Sequence, residues 1–545
     1  MESLKITKPF LKNNKVLLIV YIVCILLSYP LESIILPRTF SKFFGELKKN
    51  ISNEIFIKYF KILLTLITIS TVAQIINSRL DSTLITNFNE SISNIFFEKI
   101  INFYENNYAD LELGKLTFRI NSVPTVMREL TTDLVTWVLP KFLTILIINL
   151  YFFKINILLG LTSIFFLILI SYYNFNNMQP CINLSNDRYN LYEYKTENIQ
   201  DKLSNLYSIY SSGNSQKEID NYKIINKQFK HTQHSSLNCI NNIKIINTIG
   251  ISILFLLLCT VTVYIYKQNK IQSEELVSIF MTLLFYMQGL NTIANYLPDY
   301  ATHLGILKSI NDYITEINYE ESLKPNIILD KGIIQINNLN FKYSNGKVIF
   351  NNFNLLINDN DKIAIVGTSG NGKSTLIKLI MGYYKIDDNT IIINNQDINK
   401  YNLKSLRKQI SYINQNTKLF NISIYDNIKY GNTLTNKEID DIFIKYNLDS
   451  VFNNMNKNTF VGVNGDELSG GQKQIILLLR IYNKNSKIII LDEPTSALDV
   501  KTKNIFLNLI KEISSNSTLI IITHDESNIE LVNKIIKIQN GIIVN

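Results

Sequence analysis

Six stretches of mostly apolar residues crowd the first 300 positions of this 545-residue chain: Val16 to Leu36, Phe56 to Ile76, Leu134 to Phe153, Ile157 to Tyr173, Ile245 to Tyr266 and Leu276 to Leu297. About 20 such residues carry a helix across ~30 Å of hydrocarbon. A single stretch could be a buried core helix. Six in one half leave a soluble core without the polar faces needed to cover them, so the pattern predicts about six transmembrane helices.

The intervals between the stretches are unequal. The connection after the second (residues 77–133) and that after the fourth (174–244) are long, whereas the others are short. Within them, Phe103 to Leu130 and Leu191 to Gln228 keep an amphipathic helical period, with Gly114 and Gly213 as the expected breaks. Helix pairs projecting tens of Å beyond one side of the membrane are the expected result. Lys5, Lys8, Lys12 and Lys15 precede the first stretch and favour a cytosolic N-terminus. Arg38, Lys42, Lys48 and Lys49 follow it and pull the other way. Loop charge alone therefore leaves the side open. Neither a cleavable signal nor an Arg-rich transit peptide is expected at the start, and Asn50-Ile-Ser52 is a glycosylation acceptor pattern.

Composition narrows the class. Mean hydropathy is only +0.09 because an apolar half is averaged with an ordinary polar one. That contrast, with the length, predicts more than one domain. The net charge of +9 comes from lysines dispersed among asparagines rather than a basic tract, so no nucleic-acid partner is expected. Cys24, Cys181, Cys239 and Cys259 have no paired spacing, and neither a disulfide framework nor a zinc site is expected.

From Gly332 the period changes to strand-like alternation. Lys362 to Gly367 reads as a strand and Gly372 to Met381 as a helix. Between them lies G-x-x-x-x-G-K-S, formed by Gly367, Thr368, Ser369, Gly370, Asn371, Gly372, Lys373 and Ser374, with Thr375 following. Glycines let backbone N–H groups converge on phosphate oxygens, and the helix start adds positive potential. Lys373 supplies a cation, and Ser374 a hydroxyl suited to Mg²⁺. Ile488 to Leu491 is an apolar strand that delivers Asp492 and Glu493 to its C-terminal end, where open α/β sheets bind ligands. Asp492 suits the metal shell, and Glu493 suits polarising an attacking water. An acidic pair after a strand is commonly only a helix cap, but the upstream phosphate loop and Pro494 to Asp499 weigh against that. Leu468-Ser-Gly-Gly-Gln472 opens a helix (Gln472 to Tyr482) whose glycine-rich start is a second anion site.

With these motifs in this order, the C-terminal half resembles the nucleotide-binding domain of ATP-binding cassette (ABC) proteins, and the whole chain resembles an exporter-type half-transporter. The resemblance implies a multi-domain fold: an all-α polytopic membrane domain (1–318), a linker (319–331), and an α/β P-loop ATPase domain with a helical subdomain (332–545). It implies ATP and Mg²⁺ as ligands. Tyr343 matches the aromatic that stacks on adenine. Gln415 matches the glutamine joining the metal site to the membrane domain, and Asp499 falls in the loop from Ser496 to Asp499 that follows the acidic pair. His524 matches the histidine at the γ-phosphate. Ser469, Gly470, Gly471 and Gln472 match the signature that closes over the nucleotide held by a second subunit. A homodimer is favoured, since one chain holds every half-site element, with a heterodimer as the alternative.

The chain departs from that pattern in four places. Gly462-Val463-Asn464-Gly465 stands where exporters usually carry a Glu-Arg pair, Ile475 replaces an arginine, Asp525 follows His524, and the C-terminal helical extension is expected to be missing. The resemblance implies ATP-driven export of an unidentified substrate. The alternatives are an iron–sulfur or glutathione-linked exporter of mitochondrial type, and an ATP-gated channel or regulatory subunit. Glu32, Gln74, Lys141, Gln288 and Asn291 are polar groups in or near spans, where such residues tend to face cavities.

Overall fold

The computed structural model describes residues 6–47, 53–106, 113–317, 324–343, 346–368, 370–414, 417–495, 498–523 and 530–544. It divides into two compact units, one of residues 1–103 and 111–319, which holds the long helices, and the other of residues 104–110 and 320–545.

Among the described residues, six helical spans are long and apolar enough to cross a membrane: Lys15–Glu46, Glu54–Tyr104, Gly114–Ile155, Ile157–Ser204, Ser215–Lys267 and Glu275–Tyr313. The expected helical continuations are present. The second span belongs to a helix of 54 residues and the fifth to one of 53, each about 80 Å at 1.5 Å per residue. Gly213, at φ +66, falls in the turn between the fourth and fifth spans, as expected. Gly114 is not itself a break. It lies in the first turn of its helix, where a Cβ would sit 2.8 Å from Glu197 Cα, so its smallness lets two helices touch.

Alternation of large apolar and small polar residues explains how the helices pack. Ile148, Phe152, Leu159, Leu254, Leu258 and Leu283 form one buried cluster. Inside it Asn149 is satisfied by accepting from Ser163 Oγ at 2.5 Å and Tyr286 Oη at 3.3 Å, as buried polar groups require. Beyond the apolar windows the helices are braced by charge. Arg119 pairs with buried Glu193 at 2.7 Å and lies 4.0 Å from the Tyr313 ring centroid. Spans 1 and 3 each contain a π turn, Leu31–Ile35 directly after Pro30 and Leu134–Val138 just before Pro140. Apolar periodicity gives no hint of these turns, because proline perturbs the hydrogen-bond ladder without changing which residues are apolar.

The cysteine expectation needs correction. Cys181 and Cys239 are disulfide-bonded, with Cα atoms 5.6 Å apart. They lie 58 residues apart on two antiparallel helices, so linear spacing carried no sign of the pair.

The second unit contains two sheets. Strands β1 (Ile334–Lys342), β2 (Val348–Ile357), β4 (Ile391–Ile393) and β5 (Gln396–Asp397) form an antiparallel sheet in the order β2-β1-β4-β5. Strands β3 (Lys362–Val366), β6 (Ile410–Ile413), β7 (Ile488–Asp492), β8 (Thr518–Ile522), β9 (Lys534–Gln539) and β10 (Ile542–Val544) form the other, in the order β10-β9-β3-β8-β7-β6. All neighbours in it are parallel except β10 and β9. The near-continuous isoleucine runs of β7 and β8 are buried throughout, as strands covered on both faces require. A helical layer built from Ile424–Lys429, Asn436–Lys445 and Gly470–Leu479 packs on a second apolar cluster.

Candidate nucleotide site

The parallel sheet places two of the expected motifs at one edge. The glycine loop leaves the C-terminal end of β3, and Asp492 with Glu493 leaves that of β7, with β8 between them. Open sheets bind ligands at that end.

The loop is shaped by its glycines. Gly372 caps the helix Lys373–Ile380 at φ +91, and a Cβ there would lie 2.6 Å from Ile349 Cγ2 and 2.9 Å from Phe350 Cζ. At Gly367 a Cβ would meet the Ile538 carbonyl oxygen at 2.3 Å. Asn371 fastens the loop from below, its Nδ2 donating to Thr368 Oγ1 (2.9 Å) and Ile538 O (3.1 Å). Its side chain therefore shapes the cradle, and its backbone N–H turns inward as well, donating to Thr368 O at 3.4 Å.

Lys373 curls into the cradle and donates to the carbonyls of Gly367 (2.6 Å) and Thr368 (3.0 Å). Burial holds its ammonium below the usual range, while nearby Glu493 and Asp492 pull the other way. Ser374 Oγ donates to Asp492 Oδ2 at 3.1 Å, across 118 residues of sequence. Burial raises the Asp492 carboxyl above its usual range, and the Ser374 hydrogen bond opposes that shift. These two oxygens are hard donors of the kind Mg²⁺ takes, and they are the groups that would hold it. Glu493 follows at φ +47, a left-handed conformation costing a non-glycine residue about 1–3 kcal/mol and typical of functional sites.

Tyr343 donates or accepts at Thr375 Oγ1 (2.7 Å), and its ring is braced edge-on by Phe341 and Tyr384. Thr375 is thus engaged by the aromatic rather than open to solvent. Sequence reasoning missed Phe341 and Tyr384, since no spacing rule links them to the loop.

Ser469, Gly470, Gly471 and Gln472 form a separate helix start, and the helix begins at Gly470, two residues before the expected position. Ser469 and Gly470 are exposed. Gly471 instead packs against Thr502 and Leu498. Gln472 is buried in a reciprocal cap: its Oε1 accepts from Ser469 N (2.8 Å) and its Nε2 donates to Val451 O (2.9 Å). Its side chain therefore fixes the helix start instead of reaching outward. Asp499 also caps a helix, accepting from Thr502 N (3.0 Å) and Oγ1 (2.7 Å). Ser369, Gln415 and His524 lie outside the described residues.

Residues 350–496 match the family model described as ABC transporter. The chain is 34% identical over 311 residues to a protein of Rickettsia typhi described as an export ATP-binding/permease protein, covering 54% of this chain and 53% of that one. It is 31% identical over 282 residues to an ATP-dependent lipid A-core flippase of Salmonella typhimurium, covering 51% and 48%. It therefore spans about half the length of the curated relatives it matches. Across 99% of the chain, and 95% of the other, the fold matches the structure of a bacterial Atm1-family ABC exporter with ATP bound, with a TM-score of 0.86 at 19% identity. Residues 350–496 thus form a domain of the ABC transporter family, and the chain as a whole, with its six candidate spans, has the fold of the ABC exporter structure that it matches.

Proposed function

We propose that the chain is one half of a dimeric, membrane-embedded exporter, most simply a homodimer, driven by ATP hydrolysed between the glycine loop of one subunit and the Ser469-bearing helix start of the other. The observation that carries this reading is the meeting of Lys373, Ser374 and Asp492 at the sheet edge in a chain that also has six candidate spans. Lys373 exchanges its two loop carbonyls for β- and γ-phosphate oxygens. Ser374 and Asp492 are the residues that would hold Mg²⁺, whose charge neutralises the phosphates when bound. Glu493, held by strained backbone beside Lys373, orients the attacking water. Exposed Ser469 and Gly470 offer a hydroxyl and backbone N–H groups to the γ-phosphate of the neighbouring subunit, while Gln472 keeps that helix start rigid. Gln415 and His524 take the roles the resemblance gives them, coupling to the membrane domain and γ-phosphate sensing, and Asp499 belongs to the loop that follows the acidic pair.

Pumping fits better than channel gating because the hydrolytic groups are all retained. The ATPase domain faces the compartment that supplies ATP. The test is ATPase activity of the full chain in lipid nanodiscs. Lys373→Ala should abolish turnover, and Glu493→Gln should retain ATP without hydrolysing it. Full turnover by Glu493→Gln would refute the role given to that carboxylate.

A further inference from the structure

Two cavities meet inside the membrane unit, at the end of span 1 that carries the N-terminal helix Lys8–Asn13. One, of about 280 Å³, is walled chiefly by apolar side chains, among them Phe10, Leu18, Leu84, Phe88 and Leu130. The other, of about 160 Å³, is lined by polar groups including Tyr29, Gln74, Asn77 and Ser28. Tyr21, Asp81 and Thr136 line both. Neither reaches the ~300 Å³ at which ligand pockets begin, but joined they do.

The chemistry at the junction is that of a counter-ion without its ion. No ion pair among the described residues of this unit involves Asp81; those present hold Glu193, Glu129, Glu197, Glu218, Asp220 and Asp299 instead. Asn77 Oδ1 is buried beside it without a hydrogen-bond partner, a cost that ligands or ordered water usually relieve. The polar chamber is also suited to positive charge at its far end. Lys141 Nζ already rests 4.4 Å from the Tyr29 ring centroid, and Glu32 accepts from Ser70 and Gln74 at 2.5 Å each.

We propose that the joined cavities bind an amphipathic cation, its apolar body in the larger chamber and its cationic head between Asp81, Asn77 and the Tyr21 ring. This names a substrate class for the export reading and rests on it. An anionic head seated beside Asp81 would be repelled by it, and a purely apolar ligand would leave Asp81 without a counter-charge.

The test measures saturable binding of tritiated dodecyltrimethylammonium to the full chain in nanodiscs, without nucleotide, so that its outcome is independent of ATPase activity. Unlabelled dodecyltrimethylammonium should displace the probe, whereas dodecyl sulfate and dodecyl maltoside, with the same alkyl chain, should not. Asp81→Asn should weaken binding about tenfold or more, Asp81→Glu should restore most of it, and Asp220→Asn, an exposed carboxylate that pairs with Lys223 and lines neither cavity, should leave it within about twofold. Equal displacement by all three amphiphiles, undiminished binding by Asp81→Asn, or no saturable binding by a chain that still hydrolyses ATP would each overturn the proposal. Loss of ATPase activity with charge-selective binding intact would overturn the export reading instead.

Discussion

Replacing Gly372 with alanine puts one methyl group where the structure has no room for it. At φ +91 any residue with a Cβ pays about 1–2 kcal/mol of backbone strain. The methyl would also lie 2.6 Å from Ile349 Cγ2 and 2.9 Å from Phe350 Cζ. Phe350 is fully buried in the core beneath the loop and cannot swing aside, so overpacking adds about 1–3 kcal/mol. The loop relieves that total, roughly 2–5 kcal/mol, by moving off its phosphate-ready shape. Expressed as affinity this is about 30-fold or more. Gly370 is the internal control: its φ is similar, +88, but nothing lies within 4 Å of its added Cβ. Gly370→Ala should therefore lose only the strain component, about tenfold. Equilibrium binding of a fluorescent ATP analogue to the full chain, with thermal unfolding to confirm the fold, reads both variants. Equal effects of the two substitutions, or wild-type affinity in Gly372→Ala, would refute the steric account of the loop.

Other outcomes follow from the same contacts. Because burial raises the Asp492 carboxyl, the metal-free folded state holds its proton to higher pH than an unfolded chain would, and the associated stability fades as pH rises through that raised value. Mg²⁺ competes with this proton, so Mg²⁺ titrations of nucleotide binding should weaken as pH falls from neutrality towards the carboxylate range, and Asp492→Asn should flatten the dependence. Gln472→Ala removes a buried cap and should lower thermal stability by about 1 kcal/mol and slow ATP turnover while leaving ATP affinity of the loop nearly unchanged. Glu512, though partly desolvated, is held at about 2 by Lys445, Tyr446 and Tyr482. A depressed carboxyl stabilises above its unfolded value and ceases to do so as pH falls towards the folded one. Glu512→Gln should cost about 1 kcal/mol in denaturant titrations at neutral pH, a figure kept small because the cluster is solvent-screened, and less in acid.

Much of this was readable before any coordinates. Apolar runs report their own length, and the two long polar connections kept the helical period that the helices adopt. The glycine loop, the acidic pair after β7 and the Ser469 helix start are local signals, and each lies on the element its flanking residues predicted. What escaped was proximity at long range. Cys181 meets Cys239, Tyr343 meets Thr375, and Ser374 meets Asp492 only after strands and helices have been arranged. Competing uses of one side chain escaped as well. Asn371 and Gln472 read as ligand contacts by position, yet folding commits their amides to Ile538, Val451 and Ser469. The strain at Glu493 was equally invisible, because a glutamate followed by Pro494 is biased towards extended backbone rather than a left-handed one.

Whether nucleotide is sandwiched between subunits is tested most directly by mixing two disabled chains, Lys373→Ala and Ser469→Arg, each also carrying Glu493→Gln. A mixed dimer then has one site built from an intact loop and an intact signature, and one site lacking both. Retained ATP after rapid removal of free nucleotide should be near one per mixed dimer and absent from either chain alone. No retention in the mixture, or full retention by one variant by itself, would contradict a site shared between two copies.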